Sequence, residues 1–174
     1  MRKILLLLLL FNVYSINSQE KYKKLPIAKR ENPTYIYNKY IIGNDEALSN
    51  IENSKELINE VSVLKAKPDK KRDEFYNLTE YGIIFIDFKN NIDFKTQPEL
   101  NEFFNLKTEN DVYIDGYLIN NKKFKIATKS IIELELIYPN TLNKLKEKVL
   151  NIWTLKKDFR YLKINDCSQS KIKK

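Results

Sequence analysis

Glu133 and Glu135 flank a single leucine inside the run "IIELELIY" at residues 131–138. On an extended chain, side chains two residues apart point the same way and stand about 7 Å from each other. Two carboxylates so placed are the minimum equipment for glycoside hydrolysis, one as acid and the other as base or nucleophile. The same residues also serve, without any chemistry, as the solvated face opposite Leu134 and Leu136, and that is the reading expected here. The chain has no histidine, which removes Ser-His-Asp and Cys-His nucleophile systems and most zinc sites. The single cysteine, Cys167, lies in the polar stretch "INDCSQSKIKK" with no base beside it, and one cysteine permits no internal disulfide. Asp87, Asn91 and Asp93 lack the central glycine and final glutamate of a calcium loop. Asn77-Leu78-Thr79 matches a glycosylation sequon, a three-residue pattern too common to carry weight. No catalytic, metal or cofactor-binding residue is assigned, and a non-enzymatic protein is expected. A small secreted carboxylate-dependent hydrolase or glycan-binding protein is the alternative.

Binding, rather than catalysis, directs attention to the tyrosines. "YIYNKYII" at residues 35–42 and "VYIDGYLI" at residues 112–119 are aromatic and β-branched runs interrupted at the same point. Asn38-Lys39 in the first sits over Asp115-Gly116 in the second. Asp-Gly between apolar runs is a strong hairpin signal, because a tight primed turn needs positive φ at both central residues. Asn-Lys is a weaker form of it. Tyr35, Tyr37, Tyr113 and Tyr117 on these hairpins are the candidate partner contacts, with alternate ones facing the core.

The elements around the hairpins also recur. Residues 57–69, "LINEVSVLKAKPD", and 130–140, "SIIELELIYPN", align Glu60 with Glu133, Val61 with Leu134 and Val63 with Leu136. Both show the period-two alternation of a strand with one buried face. Each then meets a proline, Pro68 or Pro139, followed by Asp69 or Asn140, which can cap a helix. Leu142, Leu145 and Val149 fall on one helical face, as do Phe75 and Leu78 in "DKKRDEFYNLTE". Closing strands follow: "YGIIFIDFK" at residues 81–89, apolar enough to be covered on both faces, and "VLNIWTLKK" at residues 149–157. The three glycines, Gly43, Gly82 and Gly116, all fall at turns or element boundaries.

These readings divide the chain into a signal peptide (1–18), an extended and solvated segment (19–34), a first repeat (35–91), a linking helix (92–110), a second repeat (111–158) and a polar tail (159–174). In the linking segment Thr96 and Glu99 fit a capping box with Pro98 in the first turn. Leu100, Phe103 and Phe104 form a stripe expected to pack on the core. The fold class is α/β (α+β), two tandem β-hairpin–α–β–α–β units with a mixed sheet and helices packed on it.

Residues 1–18 join Arg2 and Lys3 to an unbroken apolar run, Ile4 to Phe11, then a small and polar stretch, the pattern of a secretory signal peptide cut after Ser15 or Ser18. The run is shorter than the ~20 residues of a membrane-spanning helix. No transmembrane span is expected after cleavage. Without Arg2 and Lys3 the formal charge falls from +8 to about +6. With the charges mixed and no arginine-rich patch, no nucleic-acid partner is expected. The chain is expected in the periplasm, at the outer membrane or outside the cell, with a cell-envelope protein as possible partner.

The order of hairpin, strand, helix and closing strand resembles the plug domain of TonB-dependent outer-membrane receptors, in the form found in the large nutrient-uptake receptors of Bacteroidota. "VYIDGYLI" is similar to that family's opening strand and turn, at Asp115 and Gly116. Val63, Leu64 and Lys65 resemble its "V-L-K", and "YGIIFIDFK" its closing strand, with Gly82 and Lys89 in matching places. The family's glycine-rich loop is reduced here to Thr79-Glu80-Tyr81-Gly82, and no barrel accompanies the unit. The resemblance implies a free-standing plug-like module that binds rather than transports.

Overall fold

The computed structural model describes residues 22–29, 31–49, 51–65 and 74–160. The signal-peptide region, Pro68-Asp69, the first turn of the helix expected after them, and Cys167 lie outside the described residues. Among the described residues ten strands make two mixed sheets: β1 Thr34–Tyr37, β2 Ile41–Gly43, β3 Ile58–Leu64, β4 Ile83–Phe88, β5 Phe94–Thr96, β6 Val112–Ile114, β7 Tyr117–Leu118, β8 Lys125–Ala127, β9 Glu133–Ile137 and β10 Val149–Trp153. The fold is therefore α+β, with one α-helix among the described residues, α1 Gln97–Phe103.

Both expected hairpins form. β1 and β2 turn at Asn38 and Lys39, and β6 and β7 at Asp115 and Gly116, all four at positive φ. The polar first residue of each turn does the same task. Asn38 N–H donates to the Ile86 carbonyl (3.0 Å) and its Oδ1 accepts from Phe88 N–H (2.8 Å). Asp115 N–H donates to the Ile152 carbonyl and its Oδ1 accepts from Thr154 N–H (both 2.7 Å). A short polar side chain at this position ties the hairpin to the end of the neighbouring parallel strand.

The larger sheet runs β3-β4-β1-β2-β8-β5 and the smaller β7-β6-β10-β9. The first four strands of one and all four of the other have the same order and sense. β4 lies parallel to β1 and antiparallel to β3, as β10 lies parallel to β6 and antiparallel to β9. Register agrees with the sequence alignment as well. Val61 and Val63 pair with Ile86 and Ile84, which pair with Tyr37 and Tyr35. Leu134 and Leu136 pair with Ile152 and Leu150, which pair with Ile114 and Val112. The closing strands match only after a shift of two residues, Ile84 falling where Leu150 does.

The sheets share one core. Ile36, Ile42 and Ile126 of the larger meet Ile114, Leu150 and Ile152 of the smaller, with Phe124, Leu100 and Leu106 filling between. The far side of the larger sheet, around Tyr37, Ile41, Ile86 and Phe88, is covered by the chain between β2 and β3, which forms two 3₁₀ turns at Asp45–Leu48 and Ser54–Leu57 and no α-helix. Helix α1 has the predicted capping box, Thr96 with Glu99. Leu100 is buried, but Phe103 is 76% exposed, so only part of the expected stripe packs on the core.

Three further expectations are corrected. Residues 140–148 are turn and irregular structure, not helix: Asn140 Oδ1 does accept the N–H groups of Leu142 and Asn143, but Lys144 at φ 55 ends the turn. Leu142 is left exposed, and Val149 belongs to β10. The described part of "DKKRDEFYNLTE", residues 74–80, holds a single 3₁₀ turn, Tyr76–Leu78, with Phe75 set edge-on against Phe85 and Phe124. The amino-terminal segment is extended but only partly solvated, with Lys23, Lys24, Pro26 and Ile27 exposed and Leu25 and Lys29 buried. Residues 22–29 form a strap across the second hairpin, with Lys24 bridging Tyr117. Leu25 N–H donates to the Gly116 carbonyl (2.7 Å), Leu118 N–H to the Lys23 carbonyl (3.0 Å) and Lys29 N–H to the Asp115 carbonyl (2.8 Å). A Cβ on Gly116 would stand 2.5 Å from the Ala28 Cα and the Ile27 carbonyl oxygen, so glycine is needed there for close approach as well as for φ +86.

Candidate functional site

Two features among the described residues are candidate binding surfaces, and they lie on different sheets. The first is the outer edge of β3. It ends its sheet, spans seven residues, and has no fully buried residue. A terminal strand presents one side of its backbone N–H and C=O groups to any added strand. Along two cross-strand rows exposure grows outward. Tyr37 and Ile86 are buried while Val61 is 54% exposed; Tyr35 and Ile84 are half-buried while Val63 is 62% exposed. The sequence predicts a buried face for Val61 and Val63, and the structure corrects this. Their counterparts by strand position, Leu134 and Leu136, do pack against the shared core. The cluster around Tyr37 and Ile86 takes in Ile58 at the start of β3 but leaves Val61 and Val63 exposed.

The second is a cavity of about 230 Å³ on the outer face of the smaller sheet, roofed by Leu25, Pro26 and Ile27 of the strap. Ile137, Asn140, Leu142 and Asn143 wall it, and Asn151 and Trp153 of β10 form its floor beside Glu135 of β9. Asn151 is fully buried. Its Oδ1 accepts from Gly116 N–H (3.0 Å), which turns its Nδ2 away with no partner. Glu135 Oε2 accepts from the Trp153 indole N–H at the ring edge (2.8 Å), and the Arg160 guanidinium lies over the ring, 4.4 Å from its centroid.

The predicted carboxylate pair divides. Glu133 receives Arg160 at 2.7 Å and Lys157 at 3.5 Å. The hydrogen bond from Arg160, helped by the two positive charges, holds its carboxyl below the usual range. Only Glu135 lines the cavity. The pair therefore does not converge on one concavity. Of the four candidate tyrosines, Tyr37, Tyr113 and Tyr117 are buried, which corrects the expectation that they present free surface. Tyr37 donates to the Asn44 carbonyl (2.7 Å) and Tyr117 donates to the Glu80 carboxylate. Tyr35 alone is half-buried, at the inner end of the row that runs through Ile84 to Val63 at the open edge. Asn77 of the sequon is also buried, its side chain engaging Lys23 N–H, the Leu118 carbonyl and Asn120.

A buried ionic group fastens the strap to the sheets. Lys29 Nζ reaches Thr34 Oγ1 at 2.8 Å and the Asp115 carboxylate at 3.9 Å, and Asp115 Oδ2 accepts from Thr154 Oγ1 at 2.7 Å. Burial lowers the Lys29 pKa, and the charge of Asp115 opposes that shift. Lys29 lines none of the cavities described here, so its role is to hold the strap.

Asn151 was not singled out by the sequence reading. The signal that marks it is an amide in the middle of "VLNIW", a strand otherwise apolar and buried throughout. Among the described residues there is no group of three or more His, Cys, Asp or Glu able to hold a metal ion, and no helix long and apolar enough to cross a membrane. A scan against protein-family models, a search of curated proteins and a search of solved structures each found no match.

Proposed function

We propose that this chain is an exported, non-enzymatic plug-like module, built from two copies of one unit, that binds another cell-envelope protein along the open edge of β3. The observation that carries the reading is the exposure of Val61 and Val63 on a seven-residue edge that no further described strand pairs. Partner strands add to such edges through backbone hydrogen bonds, while side chains on one face supply specificity. Here that face is the row Val63-Ile84-Tyr35, apolar at its rim and aromatic at its inner end. The strand positions matching Val61 and Val63 in the smaller sheet are already packed within the chain, which supports an external occupant for the pair left open. The signal-peptide pattern supports delivery to the envelope.

The test is capture from an envelope fraction with the wild-type chain and with a V61K/V63K variant. Lysine on an edge disfavours strand addition, and both residues are exposed, so the thermal midpoint of the variant should be unchanged. The expected result is a protein retained by the wild type and lost by the variant. Equal retention by both would remove the β3 edge from the function.

A further inference from the structure

We propose that the cavity beneath the strap is a binding site for an aliphatic α-amino amide, the chemistry presented by the free amino end of a peptide with an apolar first side chain. This site is separate from the β3 edge and stands whether or not that edge binds a partner. Asn151 supplies one half of the recognition. Its amide is fixed by Gly116 N–H, so a residue that lines the cavity holds a buried N–H group without a partner, at a cost that a carbonyl oxygen of a ligand would offset. Glu135 supplies the other half. One oxygen holds the Trp153 indole, and no cation among the described residues pairs with the carboxylate, leaving Oε1 for an ammonium, its strongest kind of donor. Leu25, Ile137 and Leu142 present hydrocarbon to the rest of the occupant.

Size and shape narrow the class. At about 30 Å³ per water in the liquid, 230 Å³ is the room of roughly eight waters, close to one amino-acid residue. A saccharide would call for an open aromatic platform, and Trp153 is 2% exposed with a guanidinium on its ring. A free amino acid would bring a carboxylate towards Glu135, which like charge disfavours.

Trp153 is the only tryptophan and is bonded to Glu135, so its emission reports on the site. Titration with leucinamide should give a saturable change at millimolar concentration, with N-acetyl-leucinamide and leucine each at least about tenfold weaker. Glu135→Gln keeps an acceptor for the indole but loses the charge, and should weaken leucinamide by about the same factor while leaving the thermal midpoint in place. Leu142→Glu, at a residue 80% exposed, should weaken it without unfolding. The proposal is overturned if leucinamide gives no saturable change, if the acetylated compound binds as well, or if Glu135→Gln binds like the wild type.

Discussion

Replacing Gly116 by alanine probes how the strap, the second hairpin and the cavity depend on one another. The new Cβ would meet two backbone atoms at 2.5 Å, the Ala28 Cα and the Ile27 carbonyl oxygen. Neither belongs to a flexible side-chain end, so the strap must move as a unit. Three contributions follow. Holding alanine at φ +86 costs about 1 kcal/mol. Lifting the strap exposes Leu25, now 5% exposed, at about 2 kcal/mol. Loosening the backbone bonds from Leu25 and Lys29 costs about 1 kcal/mol each. The expected loss is about 4 kcal/mol after partial relaxation, roughly a 10 °C drop in Tm for a chain of this size. Urea unfolding followed by Trp153 emission measures it, since the ring lies under the strap in the wild type. Asparagine at the same position separates the causes, because it tolerates positive φ but carries the same Cβ. A loss near 1 kcal/mol for alanine and none for asparagine would refute the reasoning, showing that only turn strain was at stake.

The paired turn residues should differ in cost. Asn38→Ala removes the acceptor of one backbone N–H and puts alanine at φ 46, for about 2 kcal/mol, whereas Asp115→Ala also strands buried Lys29, for about 3–5 kcal/mol by denaturant midpoint. Glu133 titrates below its ordinary 4.5 because of Arg160, so its stabilising effect is present above that pH and fades as pH falls through the lowered value. Unfolding of Glu133→Gln across the acid range should show a flatter decline than the wild type. Tyr37 and Tyr117 are pushed above 10.0, chiefly by burial. Stability should therefore fall as pH rises past 10, and tyrosinate absorbance from these two should appear only with unfolding.

The hairpin turns were legible because Asp-Gly and Asn-Lys must declare themselves locally: positive φ at adjacent residues restricts the choice of side chain. The capping box was legible for the same local reason. β3 and β9 were recognised as strands, but alternation says only that a strand has two unlike faces, and not whether tertiary structure supplies a cover. Leu134 found one and Val61 did not. The helix expected after Pro139 failed because Val149, which completed its apolar face, was already committed to the ladder of β10, and β9 and β10 are antiparallel neighbours joined by a short connection that needs no crossover helix. The strap was least legible. Leu25 sits in a short apolar stretch, Leu25-Pro26-Ile27-Ala28, flanked by lysines and without a strand's alternation, and what holds it, the carbonyl of Gly116, has no side-chain signature.

The strap and β8 each complete the sheet built mainly by the other half of the chain: residues 22–29 edge β7, and residues 125–127 add to β2. A polypeptide released amino end first must therefore keep Leu25 idle until Gly116 emerges, roughly ninety residues later. Severing the connection between the halves would leave each fragment with an unfinished border, and only mixing the two pieces would restore both. The molecule is laced rather than stacked, and its early segment finds its backbone partners only when the later one is in place.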